Sequence, residues 1–420
     1  MITECQITAS GGGKPPVGVL LCLSHGDSAS KQPAYSGRSP GEFGSSVRAL
    51  LAIAVIVSLH FALLREASAD WPLVRGDAAA TGAVEQPLFA PGEELEILWT
   101  YEAPDSSFEA TAVIADGVAY VGDLDGTLHA VRMSDGQKVW TKKFEQTGFV
   151  AGSAIADGAL FTVDYNGVLR RHDLGNGDEA WQFDGKSEIF APPNVYEGLV
   201  LIVTDAGELV SLDAATGEQQ WIYTIDQPLR CWPTVVDGRV LVAGCDALLH
   251  AVDVKDGKEL EKVAIADPPD SIPAYSDGRL YLCTAGGMFH VLTVKPLAEA
   301  WRRPGRGQGN ELHAAALSDK LVVYGTHQKQ VVALDRATGE EKWSFAVRSR
   351  ATSSPVIAGD AVYFGTTRGR FYAVSVADGA ELWQTNVGGQ FIAAPAIADG
   401  RLVVGNTDGT LYCIGAAAKD

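Results

Sequence analysis

A short apolar run, a tight turn, an alternating run and a closing tryptophan recur along most of this 420-residue chain. One copy reads Leu199-Val200-Leu201-Ile202-Val203, then Asp205-Ala206-Gly207, then Glu208 to Asp213, then Ala-Ala-Thr-Gly and, at its end, Trp221. Tryptophans close the copies at Trp99, Trp140, Trp181, Trp221, Trp301, Trp343 and Trp383, in steps of 41, 41, 40, 80, 42 and 40 residues. The long step is two ordinary ones, with Glu261 where a Trp is expected. Four short β-prone runs in a period of roughly 40 residues predict one propeller blade per repeat.

Within a copy the strands take letters from the axis outwards. Strand A is the Ala-Val-Ile or Pro-Thr-Val-Val segment, strand B is Val-Ala-Tyr-Val (118–121) and its equivalents, and strand C is Leu-His-Ala-Val (128–131). Strand D ends on the Trp. Asp116-Gly117, Asp125-Gly126 and Asp135-Gly136 supply the turns of the first full blade. Leu95–Trp99 reads as a strand D with no blade before it, and residues 393–414 supply strands A to C and stop. Joining them makes one composite blade and removes the exposed edges of an open ring. Seven whole blades and this one predict an all-β, eight-bladed propeller over residues 70–420, closed by the N-terminal strand.

Composition narrows the function. The chain is 46% hydrophobic and 20% charged, and its 46 glycines fit many tight turns. Lys and Arg number 33 against 52 Asp and Glu, a net charge of −19. That sign argues against a general nucleic-acid binder, which needs a basic surface. None of the six cysteines forms CxxC, CxxCH or an adjacent pair, so zinc, c-type haem and thioredoxin-like chemistry have no motif. Cys231, Cys245, Cys283 and Cys413 read as buried thiols. Disulfides Cys231–Cys245 or Cys245–Cys283 are the alternative for an exported chain.

Residues 1–46 show neither strand nor helix period and are expected to be disordered or spurious. Arg48, the apolar run from Ala49 to Leu64, and Ala67-Ser68-Ala69 match a secretory signal peptide over 47–69. The run is short for a membrane span, and an uncleaved anchor is the alternative. Translation is expected to start at Val47 and the mature chain at Asp70. This predicts an exported protein of the periplasm or cell envelope.

The phrases Ala-Thr-Gly-Glu-Glu-Lys-Trp (337–343), Ala-Ala-Thr-Gly-Glu-Gln-Gln-Trp (214–221) and Ala-Asp-Gly-Ala-Glu-Leu-Trp (377–383) resemble the tryptophan-docking motif of the quinoprotein (PQQ) propeller superfamily. The resemblance covers residues 70–420 and implies the propeller fold. The superfamily holds PQQ-dependent alcohol and glucose dehydrogenases and also the non-catalytic, BamB-like outer-membrane assembly branch. The alcohol-oxidising members stack the quinone on a ring of adjacent Cys residues and hold Ca²⁺ with Glu and Asn. This sequence has no Cys-Cys, and the segments leading into strand A, such as Phe190-Ala191-Pro192-Pro193, are small and apolar, with Glu109 alone among them as an acid. The resemblance is therefore to the BamB-like branch. It implies a monomeric, cofactor-free scaffold for another protein or an extended segment in envelope assembly. A dehydrogenase using PQQ with Ca²⁺, or a degenerate relative, is the alternative.

Strand order puts D–A and B–C loops on one face, A–B and C–D loops on the other. Asp116, Asp157, Glu197, Asp237, Asp277, Asp319, Asp360 and Asp399 fall at A–B turns, so that face is expected to be acidic, with turn chemistry as the plain explanation. The opposite face is assigned Arg230, Arg303, Arg306, His313, Lys329, Arg348, Arg350, Arg368 and Arg370. Arginine suits carboxylates, phosphates and protein interfaces, so these nine are the candidate partner-binding or anion-binding residues. The tryptophans recur too often to serve one cofactor and are assigned to blade docking. His129, His250 and His290 are spread around the ring and read as blade packing.

Overall fold

A computed structural model describes residues 71–417, except 91, 270, 305–313 and 327. The expected N-terminal extension (1–46) and the expected signal peptide (47–69), with Arg306 and His313, lie outside the described residues. The chain folds as an eight-bladed β-propeller of four-stranded antiparallel sheets. Blade 1 consists of Val113–Ala115, Val118–Gly122, Thr127–Arg132 and Lys138–Lys143. Blade 8 is the composite: Leu95–Glu102 pairs with Thr410–Ala416, from Leu95 opposite Ala416 to Glu102 opposite Thr410. Ring closure is therefore as the sequence predicts.

The A–B turns carry their acids for a conformational reason. Asp116, Asp157, Glu197, Asp237, Asp277 and Asp399 all have φ between 48° and 51°. Each precedes a glycine that also has positive φ. Two left-handed residues in succession make the turn that matches strand twist, and Asp-Gly adopts it readily. Two of these acids also hold cations of the neighbouring blade: Asp277 with Arg336 at 3.0 Å and Asp237 with Lys295 at 3.3 Å.

Each C–D ladder shifts register beside its Trp position, as between Ala130/Val131 against Trp140 and Lys138. Such a bulge adds twist and turns the Trp ring towards the following blade. The residue bulged out faces solvent, which accounts for exposed Val139, Leu260 and Leu382. The indole N–H groups of Trp99, Trp140, Trp221 and Trp343 donate to Met133, Leu174, Val254 and Val376 carbonyls at 2.8–2.9 Å. At the blade 4–5 junction, where Trp is missing, Arg239 Nη1 donates to the Val294 carbonyl at 3.0 Å. Glu261 accepts from Arg239 at 2.9 Å and from the Leu297 amide at 2.6 Å. A charged pair thus takes over the docking of this one junction.

One feature of the fold has no repeat signature. Residues 71–84 leave the blades and run around the axis against the inner strands. Trp71 exchanges backbone hydrogen bonds with Ile114 of blade 1 (3.1 and 2.9 Å). The amides of Ile155, Val235, Tyr275, Leu317 and Ile357 then donate in turn to the carbonyls of Pro72, Ala78, Ala79, Thr81 and Gly82, at 2.7–3.0 Å. The circuit ends with Ala83–Val84 pairing in parallel with strand A of blade 7. Innermost strands have an unpaired edge; here one segment satisfies that edge in blades 1, 2, 4, 5, 6 and 7.

Candidate channel site

The segment leaves a cavity of about 380 Å³ in the channel, reaching towards the D–A loops. Val74 and Arg75 line its inner part, and Glu109, Thr111, Phe190, Arg350, Thr352, Ser354, Gln390 and Ile392 line its wall and mouth. Arg75 is 1% exposed, and its Nη2 donates to the carbonyls of Ala315 (3.1 Å) and Pro355 (2.7 Å). Burial lowers its pKa to about 10, opposed by the charge of Asp77. Burial also raises the Glu109 pKa from its ordinary value.

At the mouth, the Tyr165 ring meets Phe190 edge-on at 5.7 Å, and the Arg230 guanidinium lies 5.3 Å from the Phe190 ring centre. Arg230 also pairs with Asp205 of the B–C turn of blade 3. The Arg350 carbonyl accepts the Thr367 amide at 3.0 Å, which ties the D–A loop before blade 7 to that blade's B–C turn. Tyr165 is 42% and Ile392 39% exposed, so two large apolar groups stand at the rim.

The nine residues assigned to this face divide. Arg350 lines the cavity. Arg348, Arg368 and Lys329 are exposed on loops of the same face, and Arg230 stands beside Phe190. Arg303 and Arg370 are strand residues instead. Arg303 lies in strand D of blade 5 and reaches the next blade, to the Gly339 carbonyl (2.9 Å) and Glu341 (3.1 Å). Arg370 opens strand C of blade 7 and donates to Gln384 at 2.8 Å. Loop assignment from the sequence placed Arg370 one position and Arg303 two positions too far into the turn. The sequence reading missed Arg75, Tyr165, Phe190 and Ile392 as site residues. The only cue to Arg75 was a lone cation in the apolar stretch Trp71-Pro72-Leu73-Val74.

The histidines on strand C sit between blades. His129 contacts Asp123 at 2.9 Å and Tyr101 at 3.0 Å, His250 contacts Asp246 at 3.0 Å and Tyr223 at 2.9 Å, and His290 contacts Glu299 at 3.1 Å. Cys413 is a buried free thiol and Cys245 a half-buried one. The described lining residues do not fit a calcium-bound quinone. Calcium takes 6–8 oxygen ligands, yet Glu109 is the one carboxylate among the described lining residues. Phe190 is the one aromatic there, with no tryptophan to stack a quinone.

Among solved structures, BamB from Moraxella catarrhalis is similar, with 19% identity, a TM-score of 0.64, and coverage of 78% of this chain and 99% of that one. The quinohemoprotein alcohol dehydrogenase from Comamonas testosteroni is similar at 18% identity and a TM-score of 0.70, covering 89% and 84%. The computationally designed Ika8 protein is similar at 19% identity and a TM-score of 0.66, covering 77% and 100%. These likenesses support the fold alone. No curated protein matches the sequence. The family described as outer membrane protein assembly factor BamB matches over residues 94–230, 187–260 and 245–420. By that match, which spans the repeats of all eight blades, the chain belongs to the outer membrane protein assembly factor BamB family.

Proposed function

We propose that this protein is an exported, non-enzymatic propeller that binds an extended segment of another protein across the channel mouth, within the cell envelope. The observation that carries the reading is the grouping of Tyr165, Phe190, Arg230, Arg350 and Ile392 around one opening. Exposed aromatic and arginine side chains beside a concave apolar patch are the usual anchors of protein interfaces. Arg348 and Arg368 on the same face favour a partner segment carrying acidic residues. The family description names an assembly factor of the outer membrane, which supports an envelope partner. Export rests on the signal-like residues 47–69. The protein acts as a monomer, and neither nucleic acid nor a cofactor has a part.

The test is capture from envelope extract by the immobilised mature chain. Wild type is expected to retain a partner that is lost from Tyr165→Asp/Ile392→Asp and from Arg348→Glu/Arg350→Glu, with unfolding temperatures unchanged. Equal capture by both variants would sink the proposal.

A further inference from the structure

We infer that the channel cavity is a binding site for a small apolar monocarboxylate, held at its inner end by Arg75. The inference goes beyond the partner surface at the mouth and does not depend on it.

Arg75 carries the argument. Its side chain is 1% exposed, and the residue is among those lining the cavity. Nη2 is used by two backbone carbonyls, while Nε and Nη1 are buried with no hydrogen-bond partner. The acid nearest in sequence is committed elsewhere: Asp77 accepts from the amides of Ala79 (2.9 Å) and Thr81 (3.2 Å) and from the Thr81 hydroxyl. A buried guanidinium bonded to carbonyls alone, with only the unbonded charge of Asp77 near it, is an under-compensated charge. An anion entering the cavity would offset that charge and take up the unused donors.

Two hydroxyls add donors to the same cavity. Thr111 Oγ1 accepts the Ala394 amide at 3.0 Å, and Ser354 Oγ accepts the Ala314 amide at 2.9 Å. Each oxygen therefore serves as an acceptor in these bonds and keeps its O–H to donate. The remaining wall includes Val150, Pro192, Ile272 and Ile392. Such a wall suits an apolar body with one charged end, in a volume of about 380 Å³. A hydrated phosphate would leave that wall unused. Glu109, on the same wall, disfavours a ligand with a second negative charge.

The experiment is calorimetric titration of the folded mature chain with sodium benzoate, against sodium chloride at equal ionic strength. Benzoate is expected to bind one to one and to raise the unfolding temperature, with chloride inert. Arg75→Met should weaken binding about tenfold or more, the loss expected for a charge-assisted hydrogen bond, and Arg75→Lys should restore part of it. Ser354→Ala should weaken binding by a smaller factor, and Glu109→Gln should tighten it. Should Arg75→Met fail to fold, Ser354→Ala and Glu109→Gln decide: benzoate affinity unchanged in both overturns the site. Benzoate binding no better than chloride overturns it directly, and inorganic phosphate binding as tightly as benzoate overturns the monocarboxylate assignment.

Discussion

The indole of Trp221 rests on Gly257 of the following blade, where a Cβ would lie 2.6 Å from the ring. The same pairing joins Trp99 to Gly136, Trp140 to Gly177, Trp181 to Gly217, Trp301 to Gly339 and Trp343 to Gly379. The junction without a Trp also lacks the glycine: Glu261 faces a turn built from Lys295 and Pro296. At these six junctions ring and glycine form a single docking device.

Gly257 therefore does two jobs, which a control separates. Gly158 has nearly the same φ (69° against 70°) but open space where a Cβ would go. Both Gly→Ala changes carry the backbone strain; only Gly257→Ala pushes against a ring. Gly257→Ala is expected to cost about 1–3 kcal/mol more than Gly158→Ala in urea unfolding, the usual range for overpacking. Equal costs would show that the indole gives way freely.

The channel segment makes a prediction about sets of amides. Ile155, Val235, Tyr275, Leu317 and Ile357 donate to residues 72–82 and to no other strand. Removing the residues before Glu85 is expected to speed hydrogen exchange at these five together and to leave the B–C ladders protected. Gly82→Val should act the same way more weakly, because a Cβ at Gly82 would strike the Arg75 guanidinium. Unchanged protection after truncation would contradict the contact pattern.

His172 predicts a pH effect. It is buried, Nε2 meets Thr162 Oγ1 at 3.0 Å, and Nδ1 has no partner. Burial first, then the charge of Arg170, lowers its pKa from 6.5 to about 4. As pH falls the unfolded chain takes the proton first. The contribution of the neutral imidazole is thus complete above about pH 6.5 and is lost as pH falls towards 4. It amounts to about 3 kcal/mol. His172→Gln is expected to flatten the fall in urea midpoint between pH 7 and pH 4.5, whereas an unaltered slope would remove His172 from the account.

Quinone chemistry is tested by adding PQQ and Ca²⁺ and following dye reduction with alcohols and sugars. With Glu109 the one carboxylate among the described lining residues, no PQQ-dependent rate is expected. A saturable rate would restore the dehydrogenase reading.

The fold was legible because its determinants are local and repeated. Trp spacing, Asp-Gly turns and the split blade at Leu95 and residues 393–414 each follow from short-range chemistry, and all agree. The site was only partly legible, because it is built from single positions on different blades. Arg350 was found because it belongs to a charge cluster in loops, whereas Arg303 and Arg370 of that cluster are strand residues that bond to Glu341 and Gln384. Tyr165 and Ile392 each look like an isolated apolar residue until the ring brings them to one rim. Residues 71–84 have no period, since each one answers to a different blade.

The central claim, that the channel mouth is the working face, is tested most directly by photo-crosslinking in intact cells. A photoreactive residue at Tyr165 or Ile392 is expected to yield a discrete adduct with a partner protein, and one at Asp157, on the A–B face, none. Adducts from Asp157 but not from Tyr165 or Ile392 would contradict the account.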